Sequence, residues 1–307
     1  MNSHLNGLKK LAGITIFTLV FLVGLKIPVS VAQTGDTLYV RHIALTDEGE
    51  YRTTYYIDML KLALEKTTDS HGPYRLIPVD LGGIEQRDAL KLMRNGDIDV
   101  KVSMTNKARE LVLRPVRVPL VKGLIGVRLN FVPEGNPNML RTVKNKSDLN
   151  RFVFGQGTDW PDTKILESAG INVETRDNYK TLFEDLKRGD YDAFPRAVFE
   201  IWDEMKNPAA EGLTVDPHMY FYYRAAMYLF VRKTDVDLAE RLETGFMRAI
   251  DDGSFNYMFN REMKDYLEKS KLKQRVGIEL ENQYLPEKTP VNDSRLWYID
   301  RLNGTSN

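Results

Sequence analysis

Two acidic pairs, Asp97/Asp99 and Asp190/Asp192, have the side-chain type that general acid–base chemistry uses. Strand alternation puts both members of each pair on one face. Both pairs also fall at the same kind of corner: Arg94-Asn-Gly-Asp-Ile-Asp-Val100 follows one amphipathic helix, and Arg188-Gly-Asp-Tyr-Asp-Ala193 follows another. A position repeated at two equivalent corners argues for capping and turn chemistry over catalysis. Glu48, Glu50 and Asp159 are weaker acid or base candidates, and no His lies near them. The chain has no Cys, which excludes thiol catalysis, a disulfide scaffold, iron–sulfur ligation and thiolate zinc sites. His4, His42, His71 and His218 show no close metal-ligand spacing. No catalytic residue, metal or cofactor is expected.

A different chemistry is suggested at Gly157-Thr158-Asp159-Trp160-Pro161. Backbone N–H groups at a helix start face an anion well, and Thr158 adds a hydroxyl. Asp159 also suits the N-cap of a helix over 161–169 with Pro161 in its first turn. Trp160 fits either a cleft wall or core packing.

The elements that must position these groups alternate. Leu38 to Leu45 and Tyr74 to Val79 read as strands, Tyr55 to Lys66 and Gln86 to Arg94 as helices, and Ile98 to Ser103 as a third strand. That βαβαβ order implies a parallel sheet covered by helices. The second corner repeats the helix, glycine, Asp-x-Asp and strand unit with its glycine 93 residues after the first. Loops at the carboxyl ends of such strands are where open α/β sheets bind ligands, and two such edges facing each other make a cleft. Gly123 to Leu129 is expected to cross between two lobes, and Ala225 to Arg232 to return. Tyr220 to Tyr223 read as hinge packing. Asp237 to Asp251 is a long helix stopped at Asp252-Gly253, and the tail adds a helix over 263–275 and an extended segment with Trp297-Tyr298.

Composition agrees with a globular protein: 307 residues, 42% hydrophobic, 28% charged, with 43 Lys+Arg against 43 Asp+Glu. Zero net charge argues against nucleic acid as a partner. At the amino terminus, Lys9 and Lys10 precede the uncharged run Leu11 to Leu25, and Ser30-Val31-Ala32 supplies small residues before a cut. The run is short for a membrane span and suits a cleavable secretory signal over 1–32. No Cys follows, so a lipoprotein anchor is not expected. Without that segment the chain keeps 40 basic and 43 acidic groups. Export without disulfides fits a bacterial periplasm.

The stretch LKLMRNGDIDVKVSMTNKARELV, the segment Phe152-Val-Phe-Gly-Gln-Gly-Thr158, the helix and strand from Leu182 to Ala193, and Tyr228 to Lys233 with Asp252-Gly253 occur in an order that resembles family 3 extracytoplasmic solute-binding proteins. These are type II periplasmic binding proteins of the polar amino-acid type. The resemblance spans about residues 38–265. It implies an α/β fold of two lobes, a two-crossover hinge and a ligand cleft between them. It divides the chain into lobe 1 (33–126), lobe 2 (127–224) and a return to lobe 1 with a C-terminal extension (225–307).

In the family, the loop after lobe 1's Asp strand presents a Thr and an Arg to a ligand carboxylate. Thr105 and Arg109 match those positions, with Ser103 beside them, although the loop is one residue shorter than the usual pattern. A guanidinium suits this role because it holds a carboxylate with two parallel hydrogen bonds. Arg109 alternatively begins a helix and pairs with Glu110. In lobe 2 the resemblance puts Thr158, Asp159 and Trp160 at the cleft, and Tyr51 where the family places an aromatic. The acid that pairs with an α-ammonium is absent from Asp192-Ala-Phe-Pro-Arg-Ala-Val198. Arg196 stands in its neighbourhood and favours a second anionic group, unless it pairs with Glu200 one turn on.

The expected function is a periplasmic solute-binding protein. It captures a small polar, carboxylate-bearing ligand by hinge closure and delivers it, as a monomer, to a membrane transporter permease. Alternatives are a periplasmic enzyme on the same fold, resembling cyclohexadienyl dehydratases, and a sensor protein acting on a membrane receptor.

Overall fold

The computed structural model describes residues 36–44, 50–80 and 86–298; the expected signal over 1–32 and Glu48 lie outside them, as do the side chains of Glu50 and Tyr51. The first part of the chain runs β1 (Leu38–Ile43), α1 (Glu50–Glu65), α2 (Thr68–His71), β2 (Tyr74–Val79), α3 (Gln86–Asn95), β3 (Val100–Met104), the short α4 (Lys107–Val112) and β4 (Leu113–Val116). The middle holds β5 (Val127–Pro133), β6 (Val153–Gly157), α5 (Pro161–Ser168), β7 (Asn172–Arg176), α6 (Tyr179–Arg188), β8 (Phe194–Ala197), α7 (Glu200–Glu204), β9 (Leu213–Val215) and β10 (Met219–Tyr222). Last come β11 (Met227–Arg232), α8 (Val236–Asp251), α9 (Ser254–Ser270) and β12 (Val276–Glu279). No described helix is long and apolar enough to cross a membrane.

Two groups of strands result. In one, β1 pairs in parallel with β2, and β11 lies antiparallel between β3 and β4. The Asp99 N–H donates to the Arg41 carbonyl at 2.8 Å, which joins β3 to β1. In the other group β5 is central, antiparallel to β8, β9 and β10. Here β6 pairs in parallel with β7, and Phe154 bridges to Ala193 just before β8.

The two helix-to-strand corners are built alike. Gly96 and Gly189 sit at φ +84° and +83°, the left-handed region that ends a helix without a Cβ penalty. Asp97 N–H reaches back to Leu92 O at 2.9 Å, and Asp190 N–H to Asp185 O at 3.0 Å, the six-to-one bond of a Schellman cap. The second Asp of each corner then fastens the neighbouring strand. Asp99 accepts the Arg41 N–H at 2.8 Å, and Asp192 accepts the Val153 N–H at 2.8 Å.

Asp99 also takes both the Arg41 guanidinium, at 2.8 and 2.9 Å, and Arg232 Nη1, at 2.9 Å. Burial pushes its carboxyl up, but the hydrogen bonds and charge of Arg41, aided by Arg232, outweigh that and hold it below the usual carboxylate range. A depressed native value means this stabilisation is complete above the unfolded pKa of about 3.9 and fades as pH falls through the native value. Asp99→Asn is therefore expected to cost about 1–3 kcal/mol at pH 7 and to flatten the acid limb of stability below about pH 5. Urea denaturation across that range measures both, and an unaltered acid limb would assign it to other carboxylates.

The chain leaves the first strand group through 117–126 and returns through 223–226. The Gly123–Leu129 segment does not form one crossing strand: Leu124–Gly126 is a 3₁₀ turn, and β5 begins at Val127. The two crossings touch. Tyr223 N–H donates to Gly126 O at 3.1 Å, and a Cβ on Gly126 would lie 2.0 Å from the Tyr223 carbonyl oxygen. Only glycine permits that approach.

The tail departs from expectation. Helix α9 begins directly after Gly253, because Asp252 accepts the Ser254 N–H at 2.9 Å and restarts the helix, and it ends at Ser270 before Lys271 at φ +45°. Strand β12 then adds in parallel to β10, so the extension joins the strand group of the middle segment. Beyond it, Asn282 donates to Arg224 O at 2.9 Å and the Tyr298 N–H to Lys122 O at 2.8 Å. Trp297, 2% exposed, covers Gly123. The tail thus packs on both crossings.

Candidate functional site

Strand β3 carries the first half of the site. Its central position between β1 and β11 buries Lys101 and Ser103, each 8% exposed, and alternation puts them on one face with Thr105 next in line. At its end Asn106 caps α4: its side chain accepts the Arg109 N–H at 2.8 Å. The cap fixes where Arg109 leaves the backbone, and its Nη1 donates back to the Met104 carbonyl.

Arg109 does not pair with Glu110. Glu110 instead takes Arg117 through two hydrogen bonds, at 3.0 and 2.5 Å, and accepts from the Thr105 hydroxyl at 2.7 Å. The Arg109 Nε is buried with no hydrogen-bond partner among the described residues. Burial lowers the Arg109 pKa, yet a guanidinium stays charged. The Lys101 ammonium is pushed down to about 8 by burial and by the repulsion of Arg109.

The second half lies on the other strand group. Thr158 and Asp159 are exposed in the turn after β6, and the Thr158 N–H donates to Arg176 O at 3.1 Å. Asp159 is not the helix cap: α5 spans Pro161–Ser168, and Trp160, extended at φ −75°, occupies the N-cap position without a side-chain bond. The residue before a proline is driven to extended backbone, which moves the cap by one. Thr163 bonds Gly157 O at 2.7 Å instead. Gly157 is required because the indole of Trp160 folds onto it, and a Cβ there would lie 2.4 Å from the ring. Trp160 is half-buried, stacked on Phe194 at 6.1 Å and 24°.

Arg196 lies under that ring, its guanidinium carbon 4.5 Å from the Trp160 centroid. The expectation that it offers a free charge to a second anion is corrected by its partners. Its Nε and Nη2 grip Glu204 at 2.8 and 2.6 Å, and Nη2 lies 3.1 Å from Glu200. Burial opposes this charge, but Glu200 and Glu204 outweigh it and raise the Arg196 pKa far above its ordinary value. The ion cluster extends to the crossing. Arg128, 1% exposed on β5, lies 3.5 Å from Asp162 and 3.6 Å from Glu200, and the Tyr223 hydroxyl donates to Asp162.

Ser103, Thr105 and Arg109 are thus brought together on one strand group, and Thr158, Asp159, Trp160 and Arg196 on the other. Tyr51 lies in α1 with its side chain outside the described residues; Tyr55, one turn on, is core and donates to Leu120 O at 2.6 Å. Sequence reasoning missed Lys101 and the cluster of Arg128, Asp162 and Glu204. The signals were present: a lysine and an arginine inside apolar strands, and Arg196, Glu200 and Glu204 at four-residue spacing. Open surface depressions along β2 and at Thr289–Arg295 hold none of these residues. Among the described residues no group of three or more His, Asp or Glu is placed to hold a metal.

No family model matches the sequence, and no curated protein does. Solved structures match the fold. The chain is similar to an ancestral arginine-binding protein bound to arginine, at 19% identity over 74% of this chain and 98% of that one, TM-score 0.50. It is similar to an amino acid ABC transporter substrate-binding protein from Streptococcus pneumoniae bound to L-arginine, at 15% identity over 74% and 94%, TM-score 0.50. It is also similar to the periplasmic VFT2 domain of Bordetella pertussis BvgS, at 16% identity over 73% and 92%, TM-score 0.53. This chain has the α/β two-lobe fold of the type II periplasmic binding proteins.

Proposed function

We propose that the protein is an extracytoplasmic solute-binding protein that captures a small carboxylate-bearing ligand between its lobes. The observation that carries this reading is Arg109: a half-buried side chain in the helix just after β3, whose buried Nε lacks a partner among the described residues and whose neighbouring acid is already taken by Arg117. A carboxylate entering from the cleft supplies the missing acceptors. The lobes follow the boundaries 33–126 and 127–224, with the return from 225 and the tail packed over the hinge. Ser103 and Thr105 line the lobe 1 side, and Thr158, Asp159 and Trp160 the lobe 2 side.

A ligand touching both lobes favours the closed state by its differential affinity for it. The closed form is then read by a membrane permease. The protein works as a monomer in the periplasm, after removal of residues 1–32, and without catalysis. Thermal-shift screening of the purified protein against amino acids, monocarboxylates and dicarboxylates tests the reading. A carboxylate that raises Tm in proportion to the logarithm of its concentration supports it. Turnover of a prephenate-like compound would replace it with the enzyme reading.

A further inference from the structure

We propose that helix α9 is a rigid third link between the two strand groups, latched to α7 by two hydrogen bonds that restrain rotation of one lobe against the other. The inference goes beyond solute binding, since it concerns how the lobes are held whatever the cleft takes.

The amino end of α9 belongs to the group of β1 to β4 and β11. There the Phe255 ring meets Phe246 of α8 edge to face, with centroids 6.0 Å apart, and Asn256 accepts from Lys122 in the first crossing. Phe255, Phe259 and Met263 are buried, each 3% exposed or less. The carboxyl end belongs to the group built on β5. The Tyr266 hydroxyl donates to Asp203 at 2.8 Å, and Trp202 Nε1 donates to the Ser270 hydroxyl at 2.9 Å. Both partners lie on α7, whose Glu200 and Glu204 are held by Arg196 of β8.

Between these ends runs one helix of 17 residues, about 25 Å long at 1.5 Å per residue. The crossings at 117–126 and 223–226 can bend at a few backbone dihedrals, as hinges do. A helix cannot, because its own hydrogen bonds fix every turn. Rotation of the lobes must therefore release α9 at one end. The amino end is held by buried apolar side chains, whose exposure to water is costly. The carboxyl end is held by hydrogen bonds in which Tyr266, Trp202 and Asp203 are only half-buried, and water replaces such bonds at small net cost. Residues 271–275 then turn, with Lys271 at φ +45°, before β12 joins β10, so α9 has slack to part from α7 while β12 stays paired. The two hydrogen bonds at α7 are thus the release point.

Pulsed electron–electron spin resonance on the purified, ligand-free protein tests this. The chain has no Cys, so Glu167→Cys on α5 and Glu240→Cys on α8 place one spin label at an exposed position of each strand group. Tyr266→Phe/Ser270→Ala removes both latch hydrogen bonds and little volume, and is expected to widen the inter-label distance distribution about twofold or more. Trp202→Phe/Asp203→Ala breaks the same bonds from the α7 side and is expected to do the same. Asp203→Asn keeps an acceptor for Tyr266 and is expected to hold the parent width. So is Arg261→Ala, which removes an exposed contact of α9 with Asp58 of α1 at 3.8 Å. An unchanged width in either double variant overturns the inference, and so does equal widening by Asp203→Asn or Arg261→Ala. No ligand enters the measurement, so each of these outcomes leaves the Arg109 reading to its own test.

Discussion

Arg109→Ala is expected to weaken carboxylate binding by about 100-fold or more while moving the ligand-free Tm by no more than about 2 °C. The affinity loss follows from two charge-assisted hydrogen bonds in a site with little water, each worth about 1.5–3 kcal/mol. The small stability effect follows from what Arg109 does without a ligand. Its guanidinium donates to the Met104 carbonyl, and its Nε is buried without a partner among the described residues. The N-terminal cap of α4 survives, because Asn106 accepts from the Arg109 backbone and not from its side chain. Removing the cation also relieves Lys101, whose ammonium it depresses. Titration and thermal unfolding of the same preparations separate the effects. Unaltered affinity would remove Arg109 from the site; a large fall in ligand-free Tm would make it a structural residue.

The contrast with the aspartates shows what a sequence can and cannot carry. The Asp97/Asp99 and Asp190/Asp192 corners are legible because local physics decides them: a helix ends at a glycine near φ +84°, and the following Asp must satisfy a neighbouring strand. The helix start that holds Arg109 is legible for a similar reason, since Asn106 caps it directly after a buried strand, whereas a ligand role for Arg109 is implied only by the family resemblance. What was not legible depends on partners far apart in the chain. Asp159 and Asp162 both suit the start of α5, and only the fold gives Asp162 to Arg128 and Tyr223 while leaving Asp159 exposed. The tail reads as an appendage to lobe 1, whereas β12 finds its partner in β10, more than fifty residues earlier. Local rules fix corners and caps; long-range pairing decides which charges remain available.

Arg196 is where that distinction has its largest energetic consequence. Arg196→Ala is expected to destabilise the protein by about 3–5 kcal/mol, lowering Tm by roughly 10 °C, because it takes the two-bond cationic partner from Glu204, which is 5% exposed. Desolvating an ion pair is expensive, and its attraction repays little more than that cost; removing one partner leaves the whole penalty on the other. The double variant Arg196→Met/Glu204→Met should therefore recover most of the loss, since it removes both charges and fills similar volume. Ligand affinity of the double variant should stay within about threefold of the parent, because Arg196 is spent on carboxylates of its own chain. Denaturant unfolding with parallel titration distinguishes this from a recognition role. A single variant of undiminished stability that binds its ligand 100-fold more weakly would return Arg196 to the cleft and make Glu204 its stand-in for an absent anion.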